Sequence, residues 1–405
     1  MFGDKTRRAM TFAGLALLAA LPASAAPYRV ISEKTENISV LIGDLTHTKT
    51  VVQDGSKAIN RFTMHRLRRT GAPSRGAILL MPALGNSFNS YLTSEDGDPG
   101  KSFAAFFARM GYDTWGISPR ETGIAAGQCG AALDCSEALN WSLQTVVDDA
   151  TYIRGRIRVI YGPRDPVIGG LSMGAASALA VVNARPNDYA GVLAWEGSLR
   201  TANPVFQAHA QTFCAQLNGL VAAGTAVDDQ SLPFVKLVAQ LAHTAPNDPF
   251  VIPVPSIPPG LTNKQVLVLL LSTPNPFAPS PRPGFFSAAG DVLSGQFFFS
   301  DTKRLTTNIA SFNDVTANRT TRDLYCSLSG AETAYNSNLA NFTRPMLIIK
   351  AGQGFGQIMD ELQGFTGGPS ILQQMNNFGH VDHFGSPNHL GLLEIPISNW
   401  LSGVL

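Results

Sequence analysis

The order of apolar and polar positions divides the chain into three sections. From Tyr28 to about Arg69, short β-rich runs at Val40-Leu41-Ile42, 48–52 and 62–65 are separated by Gly-Asp and Asp-Gly signals, which predicts strands joined by turns. Residues 77–81, Ala-Ile-Leu-Leu-Met, are apolar without interruption, as expected of a strand buried on both faces. Residues 101–110 carry an amphipathic helical pattern stopped by Gly111, and 112–115 return to strand. A helical stretch at 139–157 then leads into the strand Val167-Ile168. This alternation predicts an α/β fold with a mostly parallel central sheet and helices on its faces.

The rhythm stops between residues 199 and 342. Ten prolines fall between Pro249 and Pro283, and Phe285, Phe286, Phe297, Phe298 and Phe299 follow. Proline at that density cannot continue helices or central strands. Linkers are polar, whereas this segment is rich in Val, Leu and Phe, so it predicts an inserted cap folded over something beneath it. The alternation resumes with the buried strand Met346-Leu347-Ile348-Ile349, and a helical stretch from Leu390 to Leu401, kinked at Pro396, closes the chain. No internal repeat is visible at a 20–50-residue period. The expected organisation is a core of residues 26–198 and 343–405 with a cap of 199–342.

Residues 1–25 read as an address. Lys5, Arg7 and Arg8 precede the uncharged apolar run 10–21, Pro22 breaks it, and Ala23-Ser24-Ala25 is a small-residue cleavage site. That order is a secretory signal peptide. The run is too short for a span, which needs about 20 apolar residues. The mature protein is therefore expected to be secreted or periplasmic, with no membrane span. Cys129 and Cys135, six apart in a Gly/Ala-rich loop, suit a local disulfide there. Cys214 and Cys326 can pair across the middle section, although four cysteines allow three connectivities. Zinc-type spacings with His partners are absent.

Composition narrows the partners. Among 405 residues, 30 Lys+Arg stand against 29 Asp+Glu, for a net charge of +1, so the basic footprint of a nucleic-acid binder is missing. Only 15% of residues are charged and 44% are hydrophobic, which requires a large core.

Two places carry chemistry. Gly170-Leu171-Ser172-Met173-Gly174 follows a predicted strand and opens the Ala-rich helical stretch 175–184. A tight strand-to-helix turn needs such flanking glycines and exposes the serine above the sheet, near the positive end of a helix. The backbone N–H of Met173, directly after the nucleophile, supplies one oxyanion donor. A serine hydroxyl needs a base. Of seven histidines, His47 and His65 lie in the β-rich start and His209 and His243 in the cap, leaving His380, His383 and His389 after the last strand. His380 is the favoured base, with His383 behind it.

Gly-x-Ser-x-Gly on a strand–helix turn, a late histidine and an inserted cap resemble the α/β-hydrolase superfamily. Gly379-His380-Val381-Asp382, before a terminal helix ending in Trp400-Leu401, is similar to the end of the acid lipase branch, as are Tyr112-Asp113-Thr114-Trp115-Gly116-Ile117 and Pro119-Arg120. The resemblance covers about residues 60–200 and 340–405. It implies an esterase-like triad with Ser172 as nucleophile and His380 as base. The family usually places an Asp just after the strand matching 346–349, but here stand Lys350-Ala351-Gly352-Gln353-Gly354-Phe355. Pancreatic-type lipases take the acid from the end of the preceding strand, which here is Glu196. Asp360 and Glu361 are the alternatives, and an ion pair with Arg200 is the structural reading of Glu196. By the same alignment the second oxyanion donor is Leu84, with Ala83 next, in the loop Pro82-Ala83-Leu84-Gly85-Asn86-Ser87.

The expected function is an exported serine hydrolase acting on carboxylic esters of apolar substrates, with no metal or organic cofactor. Cleavage of amides or peptides by the same triad, a non-catalytic carrier of apolar ligands, and a cofactor-free lyase or C–C bond hydrolase are the other readings this fold permits.

Overall fold

The computed structural model describes residues 28–39, 44–272, 286–287 and 290–405, with the side chain of Gln357 excepted. The expected signal peptide, the Val40-Leu41-Ile42 run, Phe285 and part of the proline-rich stretch lie outside the described residues.

Nine strands form one sheet: β1 (Arg29–Ile38), β2 (Leu45–Gln53), β3 (Arg61–Arg69), β4 (Gly76–Met81), β5 (Tyr112–Ser118), β6 (Val167–Leu171), β7 (Gly191–Trp195), β8 (Met346–Ala351) and β9 (Ser370–Met375). Their order is β1-β2-β3-β5-β4-β6-β7-β8-β9. Pairing is antiparallel from β1 to β5 and parallel from β5 to β9. This is the predicted architecture, a mostly parallel sheet with helices on both faces.

The unbroken apolar strands follow from two-sided burial. Leu79 and Met81 enter one core with Val192, Ala194, Met346 and Ile348, whereas their neighbours Ile78, Leu80, Leu193 and Leu347 enter the other. Alternate side chains point to opposite faces of a strand, so both sets must be apolar. Helices α1 (Phe103–Arg109) and α9 (Ile395–Val404) cover the second face. The first is covered by α2 (Leu143–Tyr161), α3 (Met173–Ala184), α4 (Pro204–Ala222) and α8 (Asn318–Leu328). Helix α2 starts later than its pattern suggests because Ser142 and Thr145 close a capping box at its N-terminus.

Between α4 and α8 lie α5 (Ser231–Thr244), α6 (Asn263–Ser272) and α7 (Thr302–Ala310), which share an apolar cluster of their own. Helix α6 occupies the proline-free interval between Pro259 and Pro274, a helix that proline density had hidden. The helical stretch expected at the end of the chain is present, as two kinds of helix in succession. A π-helical turn, Leu390–Glu394, runs directly into α9, and Pro396, which has no N–H to donate, lies just past the junction. Disulfides join Cys129 to Cys135 and Cys214 to Cys326, the second tying α4 to α8. Among the described residues no helix is long and apolar enough to cross a membrane.

Candidate active site

Strand order reverses at β4: the chain steps to β5 on one side and later to β6 on the other. The carboxyl ends of strands at such a switch point leave a crevice where open α/β sheets bind ligands. Here those ends are Met81, leading into the 82–87 loop, and Leu171, leading into Ser172.

Ser172 has φ 59° and ψ −122° and precedes the first residue of α3. A non-glycine residue at positive φ is held only where its surroundings enforce it. Its N–H donates to Trp195 O at 2.8 Å, and its carbonyl accepts from Ala175 N–H at 3.0 Å. Both motif glycines answer to one atom. A Cβ at Gly170 or at Gly174 would lie 2.0 Å from Met81 O. That carbonyl also accepts from the Tyr91 hydroxyl at 2.8 Å, and the same hydroxyl accepts from Leu171 N–H at 3.0 Å. Burial raises the Tyr91 phenol well above its ordinary value, so it stays a neutral clamp between the two strand ends. Tyr91 gave no sequence signal, because its partners lie 10 and 80 residues away.

Glu196 follows β7 directly, is fully buried, and also has positive φ, 51°. Its Oε1 accepts from Ala351 N–H at 2.6 Å, and its Oε2 accepts from Phe355 N–H at 2.9 Å. His380 Nδ1 lies 3.2 Å from Oε2. An ionised carboxylate only accepts hydrogen bonds, so it holds the imidazole proton on Nδ1 and leaves Nε2 as the acceptor. The loop that carries an acid in the resembling family thus cradles one here. A Cβ at Gly354 would lie 2.2 Å from Glu196 Oε2 and 3.1 Å from His380 Cα, so glycine is required where the two meet.

The other candidates are engaged elsewhere. Asp360 is half exposed and pairs with Lys350 Nζ at 2.6 Å. Glu361 accepts from Thr201 Oγ1 at 3.1 Å and Ala202 N–H at 2.6 Å. Arg200 lies over the Phe365 ring at 4.6 Å and, among the described residues, forms no ion pair with Glu196. His383 is buried, with Nδ1 3.4 Å from Trp195 Nε1, and burial lowers its pKa. His389 bonds Glu394, His47 faces His65 at 3.1 Å, and His243 Nδ1 is 2.9 Å from Thr306 Oγ1.

The 82–87 loop is held from above. Asn313 N–H donates to Gly85 O at 2.7 Å, and its Nδ2 to Asn86 O at 3.1 Å. A Cβ on Gly85 would meet Leu232 Cδ1 of α5 at 2.3 Å. Phe286 and Phe355 flank the His380 ring at centroid distances of 6.1 and 5.2 Å. Beneath the loop a cavity of about 30 Å³ is bordered by Ala83, Met173 and Glu121. Burial raises the Glu121 carboxyl to about 7. A larger cavity, about 330 Å³, opens near Arg75 and Pro166, at the amino ends of β4 and β6 and remote from these groups. Among the described residues no group of three or more His, Cys, Asp or Glu could hold a metal ion.

A mostly parallel sheet with a strained serine turn after β6 and a late histidine after β9 is the α/β-hydrolase fold, and this chain adopts it. Among solved structures, a protein of Sulfolobus solfataricus assigned as a lipase superposes with a TM-score of 0.64 at 17% identity, covering 91% of this chain and 99% of that one. A thermostable carboxyl esterase from Bacillus coagulans superposes with a TM-score of 0.50 at 12% identity, covering 92% and 99%. No protein-family model matches the chain, and no curated protein matches it in sequence.

Proposed function

We propose that the chain is an exported serine hydrolase that cleaves carboxylic esters of apolar substrates through an acyl-enzyme. Ser172 Oγ attacks the ester carbonyl carbon while His380 Nε2 takes its proton. Glu196 holds the ring through Nδ1 and offsets the positive charge that develops on it. The N–H groups of Met173 and Leu84 receive the oxyanion. His380 then returns the proton to the departing alcohol, and water, activated by the same ring, releases the acid and restores Ser172.

The observation that carries this reading is the Glu196–His380 contact at 3.2 Å, with Ser172 N–H bonded to the residue next to Glu196. A buried carboxylate must be compensated, and orienting an imidazole is a use for it that the neighbouring acids do not share. The phenylalanines around His380 and Leu232 over Gly85 support an apolar substrate. The two disulfides support an oxidising compartment. The fold is shared with a carboxyl esterase, which agrees with ester chemistry.

The test is labelling with a fluorophosphonate, run on wild type, Ser172→Ala and His380→Ala with ester hydrolysis measured alongside. Wild type alone should label, and both variants should lose turnover. A folded wild type that neither labels nor hydrolyses any ester overturns the reading in favour of an apolar-ligand carrier.

A further inference from the structure

The loop bearing His380 is laced to the inserted segment, and one carboxylate gathers the lacing. Asp382, two residues past His380, is completely buried. Its Oδ2 accepts from Gly379 N–H, the residue just before His380, at 2.7 Å. Its Oδ1 accepts from the hydroxyls of Ser287 and Ser300, each at 2.7 Å. Both serines are buried and belong to the inserted segment. Around this centre Val381 N–H donates to Phe286 O at 2.9 Å, and Asp301 N–H donates to Gly385 O at 2.8 Å. Arg304 Nε donates to Phe384 O at 2.8 Å. At Gly385 a Cβ would lie 2.4 Å from Ser300 Oγ, so the two pieces of backbone meet without room for a side chain.

A carboxylate taken out of water is costly unless donors surround it. Asp382 draws two of its donors from the inserted segment and a third from the backbone that sets the position of His380. Lifting that segment would strip the hydroxyls from a buried charge and loosen the loop together. We propose that Asp382 is a positioning residue that couples the placement of His380 to the seating of Ser287 and Ser300, so that this arm of the insertion and the base move as one unit. The inference rests on His380 being the base. Substrate must then enter by displacing another part of the insertion, because displacing this arm misaligns the base.

The test compares Ser287→Ala/Ser300→Ala, Asp382→Ala and Asp382→Asn with wild type, reading kcat and KM separately on a soluble short-chain nitrophenyl ester, with fluorophosphonate labelling rates and thermal midpoints. A small misplacement of a catalytic group costs on the order of 100-fold, so the double serine variant should lose roughly 10- to 100-fold in kcat, with slower labelling and KM nearly unchanged. Asp382→Ala should lose at least as much. Asp382→Asn should stay within about threefold of wild type, since its amide oxygen can accept from Gly379 while its NH2 donates to hydroxyls that also accept. Should the double variant not fold, the single serine variants carry the same comparison. Wild-type kcat in the serine variants, a raised KM with kcat intact, or Asp382→Asn as damaged as Asp382→Ala would overturn the coupling. A wild type that neither labels nor turns over instead sinks the proposed function.

Discussion

Exchanging Glu196 for Gln alters one atom of a side chain surrounded by donors. Ala351 N–H points at Oε1, while Phe355 N–H and His380 Nδ1 both meet Oε2. A glutamine must put its NH2 group at one of these positions. At the first it faces the Ala351 N–H and leaves that buried donor unsatisfied, a cost of about 1–3 kcal/mol. At the second it strands Phe355 N–H at a similar cost. It also turns the imidazole to the tautomer with its proton on Nε2, which cannot take a proton from Ser172. In either pose the charge that offsets the imidazolium is gone. Glu196→Gln should therefore lower kcat by roughly 10³–10⁴, which is about 4–5.5 kcal/mol of barrier. Urea melts should register the separate stability loss of about 1–3 kcal/mol. Asp360→Asn is the control, half exposed and engaged with Lys350, and should leave kcat within about twofold. A folded Glu196→Gln protein retaining a tenth of wild-type kcat would refute the argument, as would loss of activity in Asp360→Asn.

Gly354→Ala places a methyl 2.2 Å from Glu196 Oε2, between backbone and a pinned carboxylate, and should cost on the order of 100-fold in kcat with a smaller loss of stability; near-normal turnover would count against the geometry. Tyr91→Phe unlinks Met81 from Leu171 and should lower unfolding free energy by about 2–4 kcal/mol and reduce kcat, and a melt superimposable on wild type would refute the clamp. Burial raises the Glu121 carboxyl from its ordinary 4.5 to about 7. Between those values the native state binds more protons than the unfolded chain, so this group's contribution to stability falls as pH rises. Glu121→Gln should therefore gain stability relative to wild type from pH 4 to pH 8, and a difference that stays constant over that range in urea melts would disprove it.

Strand β4, the start of β6 and most of β8 were legible because two-sided burial writes itself as unbroken apolar sequence. Strand β1 was not. Its residues, Arg-Val-Ile-Ser-Glu-Lys-Thr-Glu-Asn-Ile, lie largely exposed at a sheet edge, where charge discourages pairing with other chains and erases the apolar signal. Strand β9 is the other edge, and half of its six residues are polar. Within the site, the strand-to-helix turn at Ser172 could be read from the glycine spacing together with the elements on either side. Glu196 could be read only through what the 350–355 stretch lacks. The clamp at Tyr91, the cradle at Gly354 and the knot at Asp382 depend on partners remote in the chain, 82 to 155 residues away in the cases of Ser300 and Ala351. Local periodicity carries no trace of such contacts.

The bridge between Cys214 and Cys326 holds two Cα atoms 4.8 Å apart across 112 positions of sequence. Just beyond it, Val227 pairs with Ala317 and Asp228 with Thr316, so outgoing and returning chain stay together for several more residues. The bridge and this pairing together make a stapled neck. To the scaffold, everything past that neck is a loop whose two ends are fixed, and lengthening such a loop adds only a logarithmic entropic cost. Stretches beyond the staple that touch neither the 82–87 loop nor the His380 loop are therefore free to vary in length, whereas Ser287, Ser300 and Asn313 are tied to those loops and are not.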